Sequence, residues 1–274
     1  MTSPSLDKNP YSAPNSNLEG DIEFGGRQFV PEGMAVGVDR VVGWFGRGFE
    51  FFKAAPLQWI LTCIVMFVIM MVLAFIPILG ALITYILFPI LMGGVMLGCV
   101  ALARNEPYTV GHLFAGFQSR GSTLAMVGLL YLVELVVLGI VIGIVMVVAI
   151  GGSGLGAMMG AMSGNKEAAG AMFAGGFGIG MLFAFLIGML LGIPIFMSIL
   201  FAPVLVVVHG FDAVQAMRAS FTGCMKNILP GIVYIILYMI FAILAMIPLG
   251  LGLLVLMPVI MASQFASYED IYLR

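Results

Sequence analysis

The chain has 274 residues, 62% of them hydrophobic and 9% charged, with 11 Lys and Arg against 13 Asp and Glu and a mean hydropathy of +1.17. Soluble globular domains carry about 25% charged residues, so this composition excludes a soluble domain and points to an integral membrane protein whose first partner is the lipid bilayer. The apolar runs do not alternate with a period of two, which excludes a transmembrane β-barrel, and no basic patch suggests nucleic acid.

Residues 1–35 form a polar leader containing Pro4, Pro10, Pro14 and Pro31. It is too polar to bury a core and is expected to be disordered. Its NPYSAP segment reads either as a solvated tail or as a short docking peptide. The first long apolar run starts near Leu57, too late for the apolar core of a secretory signal, so no cleaved signal is expected.

From residue 38 to 54 the pattern changes. Val38, Val41, Val42, Phe45, Phe49 and Phe52 recur at helical spacing, while Asp39, Arg40, Arg47, Glu50 and Lys53 take the opposite side. This predicts a helix lying in the membrane interface, with Trp44, Phe45, Phe49 and Lys53 as anchors, ended by Pro56. Apolar runs of spanning length follow at about 57–76, 81–103, 124–150, 177–208, 228–247 and 249–266. Helices are required there, because a lipid-embedded backbone must satisfy its own hydrogen bonds.

The amphipathic grammar returns twice. Before the third run, residues 109–120 offer Thr109 as an N-cap and Val110, Leu113, Phe114 and Phe117 as an apolar stripe. Before the fifth, residues 212–227 offer Asp212 and Gln215 as a capping box, a stripe of Val214, Met217, Phe221 and Cys224, and the basic Arg218 and Lys226. Phe114, Phe117, Arg218, Phe221 and Lys226 are the corresponding anchors. The expected fold is an all-α polytopic membrane protein of about six transmembrane helices, arranged as three hairpins around a pseudo-threefold axis, each preceded by a cytoplasmic interfacial helix.

Of the 11 basic residues, Lys166 alone falls on the opposite side from the rest, so the positive-inside rule places both termini in the cytoplasm. Trp44, Trp59, Tyr108 and Tyr268 near the inner ends fit an interfacial aromatic belt. The fourth run, at about 32 residues or about 48 Å, exceeds what the bilayer needs. It should tilt or project, with a kink at Pro194.

Glu134 is the one charged residue well inside an expected span. Such groups face a bundle interior or a wet cavity. One reading is a proton or cation site supported by Tyr131, with Tyr85, Ser198, Tyr234 or Tyr238 from other helices. The other is a protonated carboxyl that holds helices together. The Gly- and Met-rich stretch 151–176, with Gly156, Gly160 and Gly164 at four-residue spacing and Met158, Met159 and Met162, reads as a flexible or weakly helical outer loop; close helix packing and soft Cu(I) ligation are the alternatives.

His112 and His209 sit singly at helix ends. Cys63, Cys99 and Cys224 have no ligand or disulfide spacing. No HExxH, P-loop, GxSxG or paired-carboxylate arrangement is present, so neither an enzyme nor a bound metal or cofactor is expected.

The stretch 43–60, together with FAPVLVVVHGFDAVQAMRASFTGCMKNILPGIVY at 201–234 and SQFASYEDIY at 263–272, resembles an uncharacterised family of proteobacterial inner-membrane proteins. It is more distantly similar to the membrane domain found beside glycerophosphoryl diester phosphodiesterases. The resemblance implies a six-helix fold and an inner-membrane location, and it carries no catalytic residue. The expected function is non-enzymatic: binding a membrane-protein partner or organising the membrane. The alternative is a small-solute or ion permease using Glu134.

Overall fold

The structure, a computed structural model, describes residues 26–164, 167, 175 and 178–274. Its helices are α1 (Arg40–Ala54), α2 (Pro56–Ala74), α3 (Leu79–Ala103), a 3₁₀ turn (Val110–Phe114), α4 (Ala115–Met162), α5 (Gly178–Leu200), α6 (Ala202–His209), α7 (Ala213–Lys226), α8 (Ile228–Met246) and α9 (Leu253–Tyr272). Among the described residues the only extended pairing is the antiparallel bridge between Phe29 and Leu273.

Among the described residues, five helical stretches are long and apolar enough to cross a bilayer: Pro56–Ala74, Leu79–Ala103, Val110–Val148, Gly180–His209 and Ile228–Met246. The sixth expected span falls within α9, whose later residues Ser263, Phe265, Ser267, Tyr268, Glu269 and Tyr272 are buried in protein. A core helix and a lipid-facing helix draw on the same apolar residues. The count of six therefore does not follow from length and composition alone.

The buried core lies at one end of the molecule. It gathers α1, the later half of α3, α6, α7 and the later half of α9. Away from it the helices present apolar side chains outward: only Trp59 and Thr62 of α2 and only Pro230 of α8 are buried. That division is what a bilayer permits, since side chains facing hydrocarbon need no protein cover. The basic residues Arg40, Arg47, Lys53, Arg104, Arg120, Arg218 and Lys226 lie in or beside the elements of the core end.

Each of the three polar-to-apolar transitions has a local break. Ala55 (φ −150°, ψ 60°) separates α1 from α2, Arg120 (φ −137°, ψ 42°) interrupts α4, and Asn227 (φ −126°, ψ 33°) separates α7 from α8. Beyond the break at Arg120, α4 continues for 42 residues to Met162, or about 63 Å at 1.5 Å per residue, far beyond the ~30 Å of hydrocarbon. The Gly- and Met-rich stretch, expected as a flexible or weakly helical loop, begins as helix; Lys166 and most of 165–177 lie outside the described residues.

Pro194 lies inside α5, and the interruption of that run falls at Phe201 instead. The cause is a wedge. In an unbroken helix the Phe201 amide would donate to the Met197 carbonyl. Here it donates to Ser220 Oγ at 2.9 Å, and Ser220 donates to Met197 at 2.6 Å. A hydroxyl from α7 has entered the ladder, a recognised source of helix kinks, and Pro203 begins the next segment. The Gln264 side-chain amide caps the freed Leu200 carbonyl.

Residues 1–25 of the leader expected to be disordered lie outside the described residues, and its last part, from Gln28, is ordered against the C-terminus. Gln28 and Arg274 exchange backbone hydrogen bonds of 2.9 Å, Val30 donates to Tyr272 at 2.8 Å and Met34 to Ile271 at 2.7 Å. Beneath this strap Phe29 stacks on His209 with ring centroids 3.4 Å apart, and His209 Nε2 lies 2.6 Å from the Tyr268 hydroxyl. Asn227, buried at the α7–α8 break, accepts from the Val36 amide at 2.8 Å. Its amide donates to Met34 at 2.7 Å and to Gly223 at 2.8 Å.

Removing one partner of a buried polar group strands the others. Asn227→Ala is therefore expected to destabilise the protein by about 2–4 kcal/mol, read as a lower thermal midpoint in detergent, and to expose residues 28–36 to limited proteolysis.

Candidate functional site

Two regions hold the residues singled out in the sequence. At the core end, α1 docks on α9. Asp270 of α9 receives Arg40 through two hydrogen bonds, 3.0 Å from Nε and 2.7 Å from an Nη, and the Trp44 indole at 2.8 Å. Trp44 and Phe45 are thereby buried in protein, Phe45 stacking on Tyr234 at 4.7 Å. They do not face the headgroups as free anchors would. Phe49 stays exposed with Lys53 above its ring, 5.2 Å from the centroid. Phe114, Phe117 and Phe221 are also exposed. Lys226 donates to the Gly33 carbonyl at 3.0 Å and lies 3.6 Å from Glu32.

The aromatic belt dissolves on inspection. Trp44, Trp59, Tyr108 and Tyr268 are all buried: Trp59 stacks on Tyr108 at 4.3 Å and donates to the Phe51 carbonyl, and Tyr108 donates to Thr62. An aromatic ring with one polar atom suits a headgroup layer, and it suits a buried site with one acceptor equally well. His112 closes the 3₁₀ turn by accepting from the Thr109 amide at 3.0 Å. Asp212 caps α7 by accepting from Gln215 at 2.8 Å.

The second region is a groove of about 650 Å³ between α4, α5 and α7, lined mainly by apolar side chains, with Glu134, Ser198 and Arg218 as its polar members. Ser198 Oγ lies 3.0 Å from Glu134 Oε2 and 2.7 Å from the Ile195 carbonyl. A serine has one hydrogen to give. With that hydrogen on Ile195, the contact to Glu134 is satisfied when the carboxyl carries a proton.

Of the polar side chains grouped with Glu134 in the sequence, Ser198 is the one that meets it. Tyr131 packs edge-to-face against Tyr85 with centroids 6.0 Å apart, Tyr234 shares a 2.7 Å hydrogen bond with Ser263, and Tyr238 packs against the core. Among the described residues no group of three or more His, Cys, Asp and Glu side chains is placed to hold a metal ion.

Sequence reasoning missed Asp270, Asn227 and Ser220. The signal for Ser220 was present, since it precedes Phe221 as Gly48 precedes Phe49 and Gly116 precedes Phe117. Nothing in the local pattern marks Asp270, whose partners are more than 200 residues away in sequence.

With the geometry in view, comparison with known proteins adds one finding. The chain is 28% identical over 223 residues to a probable inner membrane protein of Burkholderia thailandensis, covering 81% of this chain and 79% of that protein. No family model matches the chain, and no solved structure matches it. The chain is an integral membrane protein with several helices long and apolar enough to cross a bilayer, and it is similar to a protein described as of the inner membrane. The distant similarity to the membrane domain of glycerophosphoryl diester phosphodiesterases gains no support from these comparisons.

The core end also sets a pH dependence. Glu269 is buried 3.6 Å from Arg27, and burial raises its carboxyl above the ordinary range, with Arg27 and Arg47 partly offsetting the rise. A carboxyl that binds its proton more tightly when folded favours the native state at low pH. Stability should therefore fall as pH rises from the ordinary glutamate value, about 4.3, through the raised one. Thermal midpoints across that window should show this slope in the native protein and a flatter one in Glu269→Gln.

Proposed function

We propose that the protein is a non-enzymatic organiser of the inner membrane, built from three copies of one unit and presenting a packed cytoplasmic face to a lipid or membrane-protein partner. The observation that carries this reading is a correspondence among three segments. Each has a small buried residue, Gly48, Gly116 or Ser220, followed by an exposed phenylalanine, Phe49, Phe117 or Phe221. Four residues before each phenylalanine is a buried apolar side chain, Phe45, Leu113 or Met217. Each segment ends in a break of similar backbone conformation and leads into a long apolar helix.

The packing is cyclic in the same sense. α7 rests on α5 and α6, the 3₁₀ turn and the start of α4 rest on α3, and α1 rests on α9. Each segment thus covers a helix of the copy before it, and α1 closes the ring on the last copy. The pairing of residues 28–30 with 272–274 holds both described ends together. That supports an even number of crossings, and the distribution of basic residues supports a cytoplasmic location for both. Three exposed phenylalanines at equivalent places then form an apolar ring at the interface.

Purification into native-lipid discs followed by mass spectrometry should recover a stoichiometric protein or lipid with the chain. An unaccompanied monomer carrying only bulk lipid would contradict the proposal.

A second reading has its own observation. The groove reaches Glu134, as a permease using that residue requires. On that reading Glu134→Gln abolishes proton or cation flux into proteoliposomes, whereas equal flux from both proteins would end it.

A further inference from the structure

A repeated scaffold makes its exceptions informative. In the frame set by the three small residues, the place of Arg218 is taken by Gly46 in the first copy and Phe114 in the second. Counting from the three backbone breaks, the place of Glu134 is taken by Ile69 in the first copy and Phe241 in the third. The unit needs neither charge for its packing, since the other copies pack without them. Yet both exceptions, arising in different copies, line the same groove.

The groove has the anatomy of an amphiphile site. Arg218 sits on α7 at the polar end, exposed, and among the described residues no carboxylate pairs with its guanidinium. From Leu130 to Val141 the α4 wall is twelve residues long, about 16 Å from first to last, close to one leaflet's half of the ~30 Å hydrocarbon core. Val137, Leu138, Val141 and Leu191 supply apolar walls along it, and Val133, Val137 and Leu191 are exposed to the side. Between the apolar and cationic ends lies the Glu134–Ser198 pair, a hydrogen-bonding group in an otherwise apolar stretch of wall.

We infer that this groove binds one anionic phospholipid of the leaflet on the basic side, with its phosphate on Arg218, its ester region beside Glu134 and Ser198, and one acyl chain along α4 and α5. The cationic rim selects the lipid. A guanidinium matches phosphate oxygens with paired donors, and it is attracted to the additional negative charge of an anionic headgroup. This names a partner for the organising role proposed above, and the two fail separately: a missing protein partner leaves the groove's lipid preference untouched, and equal lipid binding leaves a protein partner possible.

The test uses the full chain in nonionic detergent, titrated with phosphatidylglycerol or phosphatidylethanolamine of identical acyl chains and read by native mass spectrometry. Wild type should retain a single phosphatidylglycerol in about five- to tenfold preference over phosphatidylethanolamine, the scale of one charge-assisted contact. Arg218→Ser should erase the preference while leaving the thermal midpoint unchanged. Val137→Trp should weaken both lipids by filling the groove. A phosphatidylglycerol with a photoreactive acyl chain should cross-link within residues 130–141. Equal retention of the two lipids, a preference that survives Arg218→Ser, or cross-links spread over the outward faces of α2 and α8 would each overturn the inference.

Discussion

The close seating of one helix backbone on another, at a position where a side chain would not fit, is the constraint from which the rest of this fold follows. A Cβ on Gly48 would run into the Val259 carbonyl of α9, and one on Gly116 would run into the Ile90 carbonyl of α3. These carbonyls belong to residues immediately after Pro258 and Pro89, each inside its helix. Ser220 keeps a short side chain at the corresponding place and uses it, splitting the α5–α6 ladder with its hydroxyl. Small residues at helix contacts are how membrane proteins gain packing where hydrophobicity gives no drive between helices. Here the contacts lie at the polar end, where water supplies that drive as well.

This arrangement explains why the core is confined to one end. Once the three segments are seated, their helices emerge at fixed positions and can separate into lipid, because a helix bonds its own backbone groups along most of its length. The same separation opens the groove beside Glu134, lined by α4 and α5 with α7 at its base. The termini then lock the ring: the strap at residues 28–36 joins α9 to the α7–α8 break through Asn227, and Asp270 gathers Arg40 and Trp44 onto the helix that α1 must cover.

Much of this was legible in the sequence because membrane insertion is dictated by composition over ~20 residues, which any single chain displays. The helical class, four of the apolar stretches within a few residues and the amphipathic segments were readable in that way, whereas Ser198 was only one of four side chains from other helices named beside Glu134. What was not readable depends on partners distant in the chain. Trp44 and Phe45 have the sequence character of interfacial anchors, and only the arrival of Asp270 and Tyr234 turns them inward. The sixth span is the one that length and composition do not single out, since the later half of α9 is buried in protein. Pro194 drew attention as a kink, while the break belongs to a serine 26 residues later that proline chemistry does not reveal.

The central claim is that α1 is held by protein and not merely floated on lipid. Hydrogen–deuterium exchange of the full chain in lipid nanodiscs tests it directly, by following residues 28–36 and α1 in the native protein and in Asp270→Ala. Slow exchange is expected in both segments, with a joint loss of protection when Asp270 is removed. Fast exchange of α1 in the native protein, or protection indifferent to Asp270, would contradict it.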